Sequence, residues 1–367
     1  MHIGIDARLT YYRVGGISTY IRAMVKTLET LDSGNQYTIF HSRKASESIT
    51  TRFQRAPLWT PSHHRIERLA LAVELTRFRL DIFHTTDFIP PLWGAKHHVV
   101  SIYDLTFLIY PQYITAETRR YYNDQIHAAA AKADHILTIS TASKHDIVER
   151  LGVPSEKVTV QWCGVEPIFQ PLPKEKIDAA HREYDLPESY ILFVGTLEPR
   201  KNLVTLAKAY QELLANCPDA PPLLLVGKPG WLYDDLMRDV AAVGLDDRHL
   251  LVRHNVSHDL LPAVYNGASL LVLPSHYEGF GLPPLEAMAC GIIPIVSNRS
   301  SLPEVVGEVG LQIDPDDPSM LAAALQKALS DTTWRAEMRP KALAQAARFN
   351  WERTAQIALS VYHQVSA

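Results

Sequence analysis

Short apolar runs alternate with stretches of helical periodicity along the whole chain. Ile3-Gly4-Ile5, Leu223 to Val226 and Leu270 to Leu273 are typical of buried strands. Strands that alternate with helices predict parallel sheets, because two parallel neighbours need a crossover connection between them. The pattern therefore predicts an α/β protein.

The pattern also predicts where the elements lie. Strands are expected at residues 1–8, 37–41, 81–85, 99–103, 135–140, 157–161, 190–194, 223–226, 250–255, 270–273 and 293–296. Helices are expected at residues 17–31, 116–133, 142–151, 319–329, 333–349 and 351–365.

Residues 52–80 differ from the rest of the chain. Six arginines outnumber two glutamates there, and Ile66, Leu69, Val73 and Leu80 follow a helical stripe. This pattern predicts a basic amphipathic helix. Such a helix either docks on anionic lipid or lies on the surface with a solvated charged face. The first alternative makes the segment a candidate contact with a membrane or a lipid-linked acceptor.

Composition narrows the class of protein. The 367 residues indicate two domains of ordinary size, and a hydrophobic fraction of 47% indicates a substantial core. The net charge of −4 does not favour nucleic-acid binding. Three isolated cysteines suit a reducing compartment. Because we find neither a signal-peptide pattern nor an apolar run of about 20 residues, we expect a cytoplasmic protein.

The stretch from Ser275 to Gly291 has the strongest chemical signal. An apolar strand precedes it, glycines flank Phe280, two prolines suit the first turn of a helix, and Gly291 suits that helix's end. A strand, a glycine loop and a helix in this order direct backbone N–H groups and a positive dipole end to one point, which favours a phosphate. Glu278 lies in the loop, and Glu286 is expected in the first turn of the helix.

The spacing Glu-x7-Glu, with Gly-Phe-Gly-Leu and Glu-Ala-Met-Ala-Cys-Gly around it, resembles the signature of the retaining glycosyltransferases of family 4. The resemblance implies the GT-B fold, an α/β arrangement of two Rossmann-like domains whose parallel sheets face a central cleft. It implies an acceptor-side domain at residues 1–165, a nucleotide-sugar-binding domain at 166–345, and a C-terminal helix at 346–367 that crosses back to the first domain.

The resemblance also implies roles for the two glutamates. In the family the loop amides and the first glutamate meet the donor's diphosphate and sugar, and the second glutamate binds the ribose hydroxyls. Glu278 and Glu286 occupy these positions. A carboxylate only accepts hydrogen bonds, so it can hold two hydroxyls at once. The alternative for Glu286 is an acid that is simply favourable near a helix N-terminus.

A second string, from Gly195 to Asn202, resembles the segment that binds the donor diphosphate. Arg200 and Lys201 take the place of its basic pair. Negative charge grows on a departing diphosphate, and fixed cations stabilise that charge most in the transition state. We therefore expect no metal or other cofactor, and no Asp-x-Asp motif is apparent. The alternative is a solvated pair at a helix start.

The first half contributes fewer candidates. Gly15-Gly16 precedes a helix capped near Ser18 or Thr19 and, by resemblance, lies over the donor phosphates; a plain tight turn is the alternative. His84 and Asp104 are expected at the carboxyl ends of strands, where open α/β sheets bind ligands. By resemblance Asp104 lies near the reacting sugar, with a helix cap or turn as the alternative. Tyr103 stands where the family usually has His and cannot shuttle protons near neutral pH.

The predicted site residues form two sets. The catalytic set is Asp104, Arg200, Lys201 and Glu278. The donor-binding set is Gly15, Gly16, Thr196, Arg200, Lys201, Lys228, Val256, Glu278, Gly279, Phe280, Gly281, Leu282 and Glu286.

The resemblance implies a reaction. A hexose moves from a nucleotide-sugar of the UDP-glucose or GDP-mannose type, with retention of configuration, to a hydroxyl of a glycan or lipid-linked glycan in polysaccharide biosynthesis. The expected location is the cytoplasm, with peripheral contact at the inner membrane face through residues 52–80. Two alternatives stay open: a nucleotide-sugar epimerase or hydrolase of the same fold, and a non-catalytic binder, which Tyr103 favours.

Overall fold

The alternating pattern is realised as two parallel sheets in the computed structural model, which describes residues 1–12, 15–114 and 116–367. The chain divides into two units. The first unit comprises Met1–Ile109, Thr115–Gly164 and Asn350–Ala367, and the second comprises Tyr110–Ile114 and Val165–Phe349. The predicted α/β class is confirmed.

The first unit contains a seven-stranded sheet in the order β3-β2-β1-β4-β5-β6-β7. Its strands are β1 (His2–Asp6), β2 (Gln36–Ser42), β3 (Gln54–Leu58), β4 (Leu80–Thr85), β5 (Ala95–Ser101), β6 (His135–Thr138) and β7 (Val158–Val160). Its helices in chain order are α1 (Leu9–Tyr12), α2 (Gly16–Leu31), α3 (Glu67–Leu75), α4 (Thr106–Ile109), α5 (Ala116–Lys132) and α6 (Thr141–Leu151).

The second unit contains a six-stranded sheet in the order β10-β9-β8-β11-β12-β13. Its strands are β8 (Tyr190–Val194), β9 (Leu223–Val226), β10 (Leu250–Arg253), β11 (Ala268–Leu273), β12 (Pro294–Ser297) and β13 (Leu311–Ile313). Its helices are α7 (Lys174–Tyr184), α8 (Leu203–Asn216), α9 (Tyr233–Ala241), α10 (Leu261–Gly267), α11 (Leu282–Ala289), α12 (Leu302–Val306), α13 (Pro318–Ser330) and α14 (Thr332–Ala346).

The last helix, α15 (Trp351–Ser366), belongs to the first unit and packs on α2, β4, β5 and β6. Ala355 and Ala358 are fully buried, which lets the helix approach its neighbours closely. The Tyr362 hydroxyl lies 2.7 Å from Nδ1 of His84. The other ring nitrogen of His84 lies 2.9 Å from the Ser101 hydroxyl. His84 therefore anchors this helix. Because it is fully buried, the expectation that it faces a ligand is wrong.

Apolar side chains on both sides of each sheet make the cores. In the first unit, Phe40 and Phe83 on the sheet pack with Leu71 and Leu75 of α3. In the second unit, all five residues of β8 are buried, as expected for a parallel strand covered on both faces. None of the described helices is long and apolar enough to cross a membrane.

Both sheets reverse their strand order at one point. In the first sheet the chain places β2 and β3 on one side of β1, and then β4 to β7 on the other. In the second sheet β8 and β11 have the same relation. Open α/β sheets bind ligands outside the carboxyl ends of the two strands that flank such a switch point. The structure therefore marks one candidate site in each unit.

The predicted helix at residues 52–80 is wrong. Residues 54–58 form the edge strand β3, in which Ala56 and Leu58 alternate with exposed residues, and only Glu67–Leu75 is α-helical. An edge strand tolerates Pro57 because one side of its backbone faces no neighbouring strand. Of the predicted apolar stripe, Ile66, Leu69 and Val73 are exposed, and Leu80 enters the core as the first residue of β4 and not as part of a helix. The helix α3 buries Leu71 and Leu75 instead.

Candidate active site

Two loops meet at the switch point of the second sheet. One loop follows β8 and ends in the 3₁₀ turn Pro199–Lys201, and the other follows β11 and ends at Gly281, before α11. Because β8 and β11 are neighbours and parallel, the carboxyl ends of both strands lie at the same edge of the sheet. The loops thus bring Arg200, Lys201 and Glu278 together.

Lys201 and Glu278 form a buried ion pair. The Lys201 ammonium lies 2.6 Å from Oε1 of Glu278, and both side chains are less than 10% exposed. The Ser275 hydroxyl donates to the same oxygen at 2.6 Å. Burial alone would raise the pKa of Glu278, but the charges of Lys201 and Arg200 lower it to about 2. Glu278 is therefore a carboxylate at every physiological pH.

Arg200 connects this pair to the surrounding loops. Its Nη1 donates to Oε2 of Glu278 at 3.2 Å and to the carbonyl oxygen of Tyr277. Its Nε and Nη2 donate to Oε1 of Glu198 at 3.1 and 2.6 Å. Since all three nitrogens already donate, Arg200 orders the loop, whereas Lys201 keeps donors for a further acceptor.

Two serines bind the backbone of the glycine loop, between Glu278 and Phe280. The Ser300 hydroxyl accepts from the amide N–H of Glu278 at 2.9 Å. The Ser301 hydroxyl lies 2.8 Å from the carbonyl oxygen of Glu278 and 2.6 Å from that of Phe280. Both serines follow β12, the strand beside β11. No local sequence pattern marks these serines, because they lie more than 20 residues after Glu278 and belong to no recognised motif.

The helix after the loop begins and ends as predicted. Gly281 caps α11 with φ of 114°, and Gly291 follows its last turn with φ of 79°. The amide N–H groups of Gly291 and Ile292 close that turn on the carbonyls of Met288 and Ala287.

The start of α11 limits how it can bind a phosphate. Pro283 and Pro284 lie in the first turn and have no N–H group. The first-turn donors are therefore fewer than in an ordinary helix, and the amides of Gly281 and Leu282 remain for an anion. The buried Phe280 ring packs edge-to-face on Phe349 and fixes the loop beside them.

Glu286 lies one turn further along than expected. It is the fifth residue of α11, and the first turn contains no acid. The Tyr265 hydroxyl donates to its Oε2 at 2.6 Å. Burial raises the pKa of Glu286 to about 7, and Glu166 adds to the rise against the lowering effect of Tyr265. An acid near a helix N-terminus does not explain this position.

Three further predicted residues lie on the loops after β8, β9 and β10. Thr196 and Lys228 are exposed, and Val256 is half-buried. The loops are close-packed, since a Cβ on Gly227 would come 1.8 Å from the carbonyl oxygen of Gly195. The carbonyl oxygen of Gly227 lies 2.7 Å from Nδ1 of His254. The three residues thus border the same edge of the sheet as Lys201.

The candidate residues in the first unit make contacts that stabilise turns and helix ends of the fold. Gly15 caps α2 without a side-chain cap, so neither Ser18 nor Thr19 has the expected capping role. Asp104 accepts from the amide N–H of Thr106 at 2.9 Å, which is the turn alternative stated above. The Tyr103 hydroxyl donates to the carbonyl oxygen of Thr86 at 2.8 Å. Burial raises the pKa of Tyr103 well above its usual value, so this hydroxyl stays protonated.

No group of three or more His, Cys, Asp or Glu side chains that could hold a metal ion occurs in the part of the chain that the structure describes.

Comparison with known proteins decides the family. A family model described as "Glycosyltransferase Family 4" matches residues 14–168, and one described as "Glycosyl transferases group 1" matches residues 174–348. The chain is 30% identical to the O-antigen chain mannosyltransferase B of Escherichia coli over 369 residues, which cover 96% of each protein. The chain belongs to glycosyltransferase family 4.

This glycosyltransferase is also similar to a second mannosyltransferase in sequence and to a solved structure in fold. It is 35% identical to the serotype-specific mannosyltransferase WbdA of Escherichia coli over 66% of the chain, and that alignment covers 30% of WbdA. Its fold is similar to that of Anabaena Alr3699/HepE in complex with UDP-glucose, with a TM-score of 0.76 at 17% identity over 99% of this chain and 100% of the other. The predicted GT-B fold of two Rossmann-like domains is confirmed.

Proposed function

We propose that this glycosyltransferase transfers a mannosyl residue, with retention of configuration, from GDP-mannose to a hydroxyl of a glycan or lipid-linked glycan during polysaccharide synthesis. The observation that carries the proposal is the Lys201–Glu278 pair at the switch point of the second sheet. The choice of mannose rests on the mannosyltransferases to which the chain is similar.

The chemical step needs a site that accepts growing negative charge. The bond between the anomeric carbon and the diphosphate oxygen breaks, and its electron pair leaves with GDP. The acceptor oxygen attacks the same face, and its proton passes to the departing diphosphate. Lys201 has N–H groups beyond the one that meets Glu278, so it can bind the diphosphate without losing its partner. Its charge then stabilises the transition state more than the ground state.

The other residues complete the proposed donor site. The amides of Gly281 and Leu282 are proposed to meet a phosphate oxygen, and Glu286 the ribose hydroxyls. Thr196, Lys228 and Val256 are proposed to border the nucleotide. Asp104 keeps its proposed role near the transferred sugar, and Gly15 and Gly16 keep theirs over the donor phosphates. We propose that no divalent ion is required, because Arg200 and Lys201 supply the positive charge.

A thermal-shift screen tests the donor. GDP and GDP-mannose should raise the melting temperature more than UDP, UDP-glucose and ADP at equal concentration, since only a bound ligand stabilises the fold. Mass spectrometry of products, with and without an octyl mannoside acceptor, then separates transfer from hydrolysis or epimerisation. A larger shift with UDP-glucose, or a product formed equally well without acceptor, would contradict the proposal.

Two further measurements test the mechanism. NMR of the product's anomeric proton should show the configuration of the donor, and an inverted product would rule out retention. Transfer should survive EDTA. Loss of transfer with EDTA that Mn²⁺ restores would disprove metal independence.

We also propose that an exposed apolar stripe on α3 contacts an anionic membrane surface from the cytoplasmic side. The stripe consists of Ile66, Leu69 and Val73, which are 60%, 51% and 62% exposed. The exposed Arg65 lies beside it in the chain, as a basic membrane-surface helix requires.

Vesicle co-sedimentation tests the membrane contact. The wild type should bind vesicles that contain phosphatidylglycerol and ignore pure phosphatidylcholine. Leu69→Glu and Val73→Glu should abolish this binding, while Met320→Glu, an exposed apolar position of the second unit, should keep it. Binding that ignores anionic lipid, or that survives both stripe variants, would rule out this contact.

A further inference from the structure

The switch point of the first sheet carries a polar cluster that the proposed donor site does not use. It lies outside the carboxyl ends of β1 and β4, the position that Lys201 and Glu278 occupy in the second unit. Asp6 ends β1, and Asp87 follows β4 by two residues. The Thr86 hydroxyl donates to the carbonyl oxygen of Asp6 and ties the two strand ends together.

His63 and Asp87 form a pair at the open side of this cluster. Nε2 of His63 contacts Oδ2 of Asp87, and Nδ1 lies 3.3 Å from the Tyr122 hydroxyl. The other carboxylate oxygen of Asp87 accepts from the amide N–H of Phe88 at 2.8 Å. The two side chains are 19% and 13% exposed, so the pair is held on several sides and still reaches solvent.

A buried ionic network holds His63 in place. Its amide N–H donates to Oε2 of Glu67 at 2.6 Å, and Oε1 of Glu67 lies 2.7 Å from Nη2 of Arg8. Arg8, whose side chain is 1% exposed, also pairs with Asp6 at 2.6 Å. His63 itself has φ of 61°, a left-handed backbone that a residue with a side chain seldom adopts. Buried charges and such backbone both cost free energy, so this loop is ordered against its local preference.

Aromatic rings form the wall beside the pair. The half-buried Phe88 stacks on Phe107 at 5.6 Å between ring centroids and meets Tyr122 edge-to-face at 5.1 Å. The His63 ring meets Phe88 at 6.3 Å between centroids. An aromatic face next to a carboxylate and an imidazole suits a pyranose, which presents an apolar C–H face and an edge of hydroxyls.

The charges of the cluster favour a neutral ligand. The cluster contains three acids, Asp6, Glu67 and Asp87. The arginine of the network, Arg8, is already paired with Asp6 and Glu67. Among the residues that the structure describes in this cluster, a phosphate would meet three acids and an arginine that is already paired, whereas a hydroxyl donates to a carboxylate without charge repulsion.

We propose that the His63–Asp87 pair and the Phe88 ring bind the terminal sugar of the acceptor. Asp87 accepts from one sugar hydroxyl, His63 contacts the neighbouring hydroxyl, and the Phe88 ring packs on the C–H face. The inference rests on the proposed function, because it assigns the acceptor of that reaction. Asp87 and His63 here are binding residues and take no part in bond breaking.

Ligand-observed NMR with octyl α-mannoside, in the absence of donor, tests the assignment. Asp87→Asn keeps the shape of the side chain but removes its charge. His63→Asn removes the imidazole and tolerates a left-handed backbone. Each variant should bind the mannoside about tenfold more weakly than the wild type. Calorimetric GDP affinity should change by less than about twofold, because the proposed donor residues lie in the second unit. Asp246→Asn, which removes a carboxylate beside His249 in the second unit, should bind octyl α-mannoside like the wild type.

Three results would overturn the proposal: no binding of octyl mannoside, glucoside or galactoside to the wild type, unchanged mannoside binding in both variants, or an equal loss of GDP and mannoside binding. If the wild type binds the mannoside through Asp87 but never transfers mannose to it, the proposed function fails and this site stands.

Discussion

Glu278 and Lys201 illustrate what a single pair of residues contributes at the centre of the site. Each charge offsets part of the cost of burying the other, and the Ser275 hydroxyl donates to the same carboxylate. A buried pair of this kind is weak support for stability but costly to break, because the remaining charge stays buried. Activity and stability should therefore respond differently to single and double substitutions.

We expect Lys201→Met to lower kcat/KM about 100-fold or more, because the departing diphosphate loses its cation. The free energy of unfolding should fall by about 3–5 kcal/mol, since Glu278 is left buried without its main partner. Steady-state transfer assays and urea unfolding measure the two effects.

The double variant Lys201→Met with Glu278→Gln separates the two causes. It removes both charges, so stability should largely return while activity stays low. Recovery of activity along with stability would mean that the pair serves the fold alone.

Glu286 predicts a pH dependence of nucleotide binding. Burial raises its pKa to about 7 from an ordinary value of 4.5, so the free enzyme holds a proton there below that pH. Ribose hydroxyls donate to the carboxylate, so the affinity for GDP should fall as the pH drops from about 8 to about 6.

Calorimetry on the wild type and Glu286→Gln isolates this effect. The diphosphate titrates in the same range, but it does so equally in both proteins. The wild type should therefore lose more affinity than the variant between the two pH values. Identical pH profiles would show that Glu286 does not meet the nucleotide as a carboxylate.

At the residue scale, the sequence predicted the local part of the site and missed its partners. Glu278 and Lys201 lie in recognisable strings, so their positions could be read directly. Ser300, Ser301 and Tyr265 reach the same loop and helix only because separate strands end at one edge of the sheet. No local pattern marks residues of that kind.

At the scale of elements, glycines decide how closely the loops of the second unit pack. Gly227 touches the backbone of Gly195, so the loops after β9 and β8 lie at the closest possible approach. We expect Gly227→Ala to push these loops apart, to lower the free energy of unfolding by about 1–3 kcal/mol and to weaken GDP binding.

Gly34→Ala is a suitable control, because a methyl group there meets only one atom, at 3.6 Å. Urea unfolding and calorimetry should leave the control near the wild type. A Gly227→Ala protein with unchanged stability and GDP affinity would contradict the close contact.

The prediction of elements was correct for strands with continuous apolar runs and wrong for residues 52–80. Strands β8, β9 and β11 were predicted because continuous apolar runs mark strands that are buried on both faces. Residues 52–80 were read as one helix because Ile66, Leu69 and Val73 share a helical period. These residues instead form the exposed side of α3, and the short edge strand β3, with Pro57 inside it, has no strong signal of its own.

At the scale of the whole molecule, both units carry buried groups that make the fold sensitive to acid. Burial lowers the pKa of His84 in the first unit from 6.5 to about 3, so its contribution is complete above pH 6.5 and is lost as the pH falls toward 3. Glu278 in the second unit, with a pKa lowered from 4.5 to about 2, contributes fully above pH 4.5 and loses its contribution toward pH 2.

Urea unfolding at several pH values measures this dependence. Between about pH 7 and pH 4.5 the raised pKa of Glu286 opposes the effect of His84, whereas below about pH 4.5 stability should decline steeply, because His84 and Glu278 then act in the same direction. Glu278→Gln should show a shallower decline below pH 4.5. An equal decline in the wild type and the variant would contradict the role of Glu278.

We propose above all that Lys201 and the start of α11 hold the diphosphate of the donor, while Arg200 orders the loop and adds its charge. A crystal structure of the protein with GDP-mannose tests it most directly. We expect diphosphate oxygens within hydrogen-bond distance of the Lys201 ammonium, ribose hydroxyls on Glu286 and the sugar beside Glu278. A nucleotide bound elsewhere, with Lys201 still contacting Glu278 alone, would contradict it.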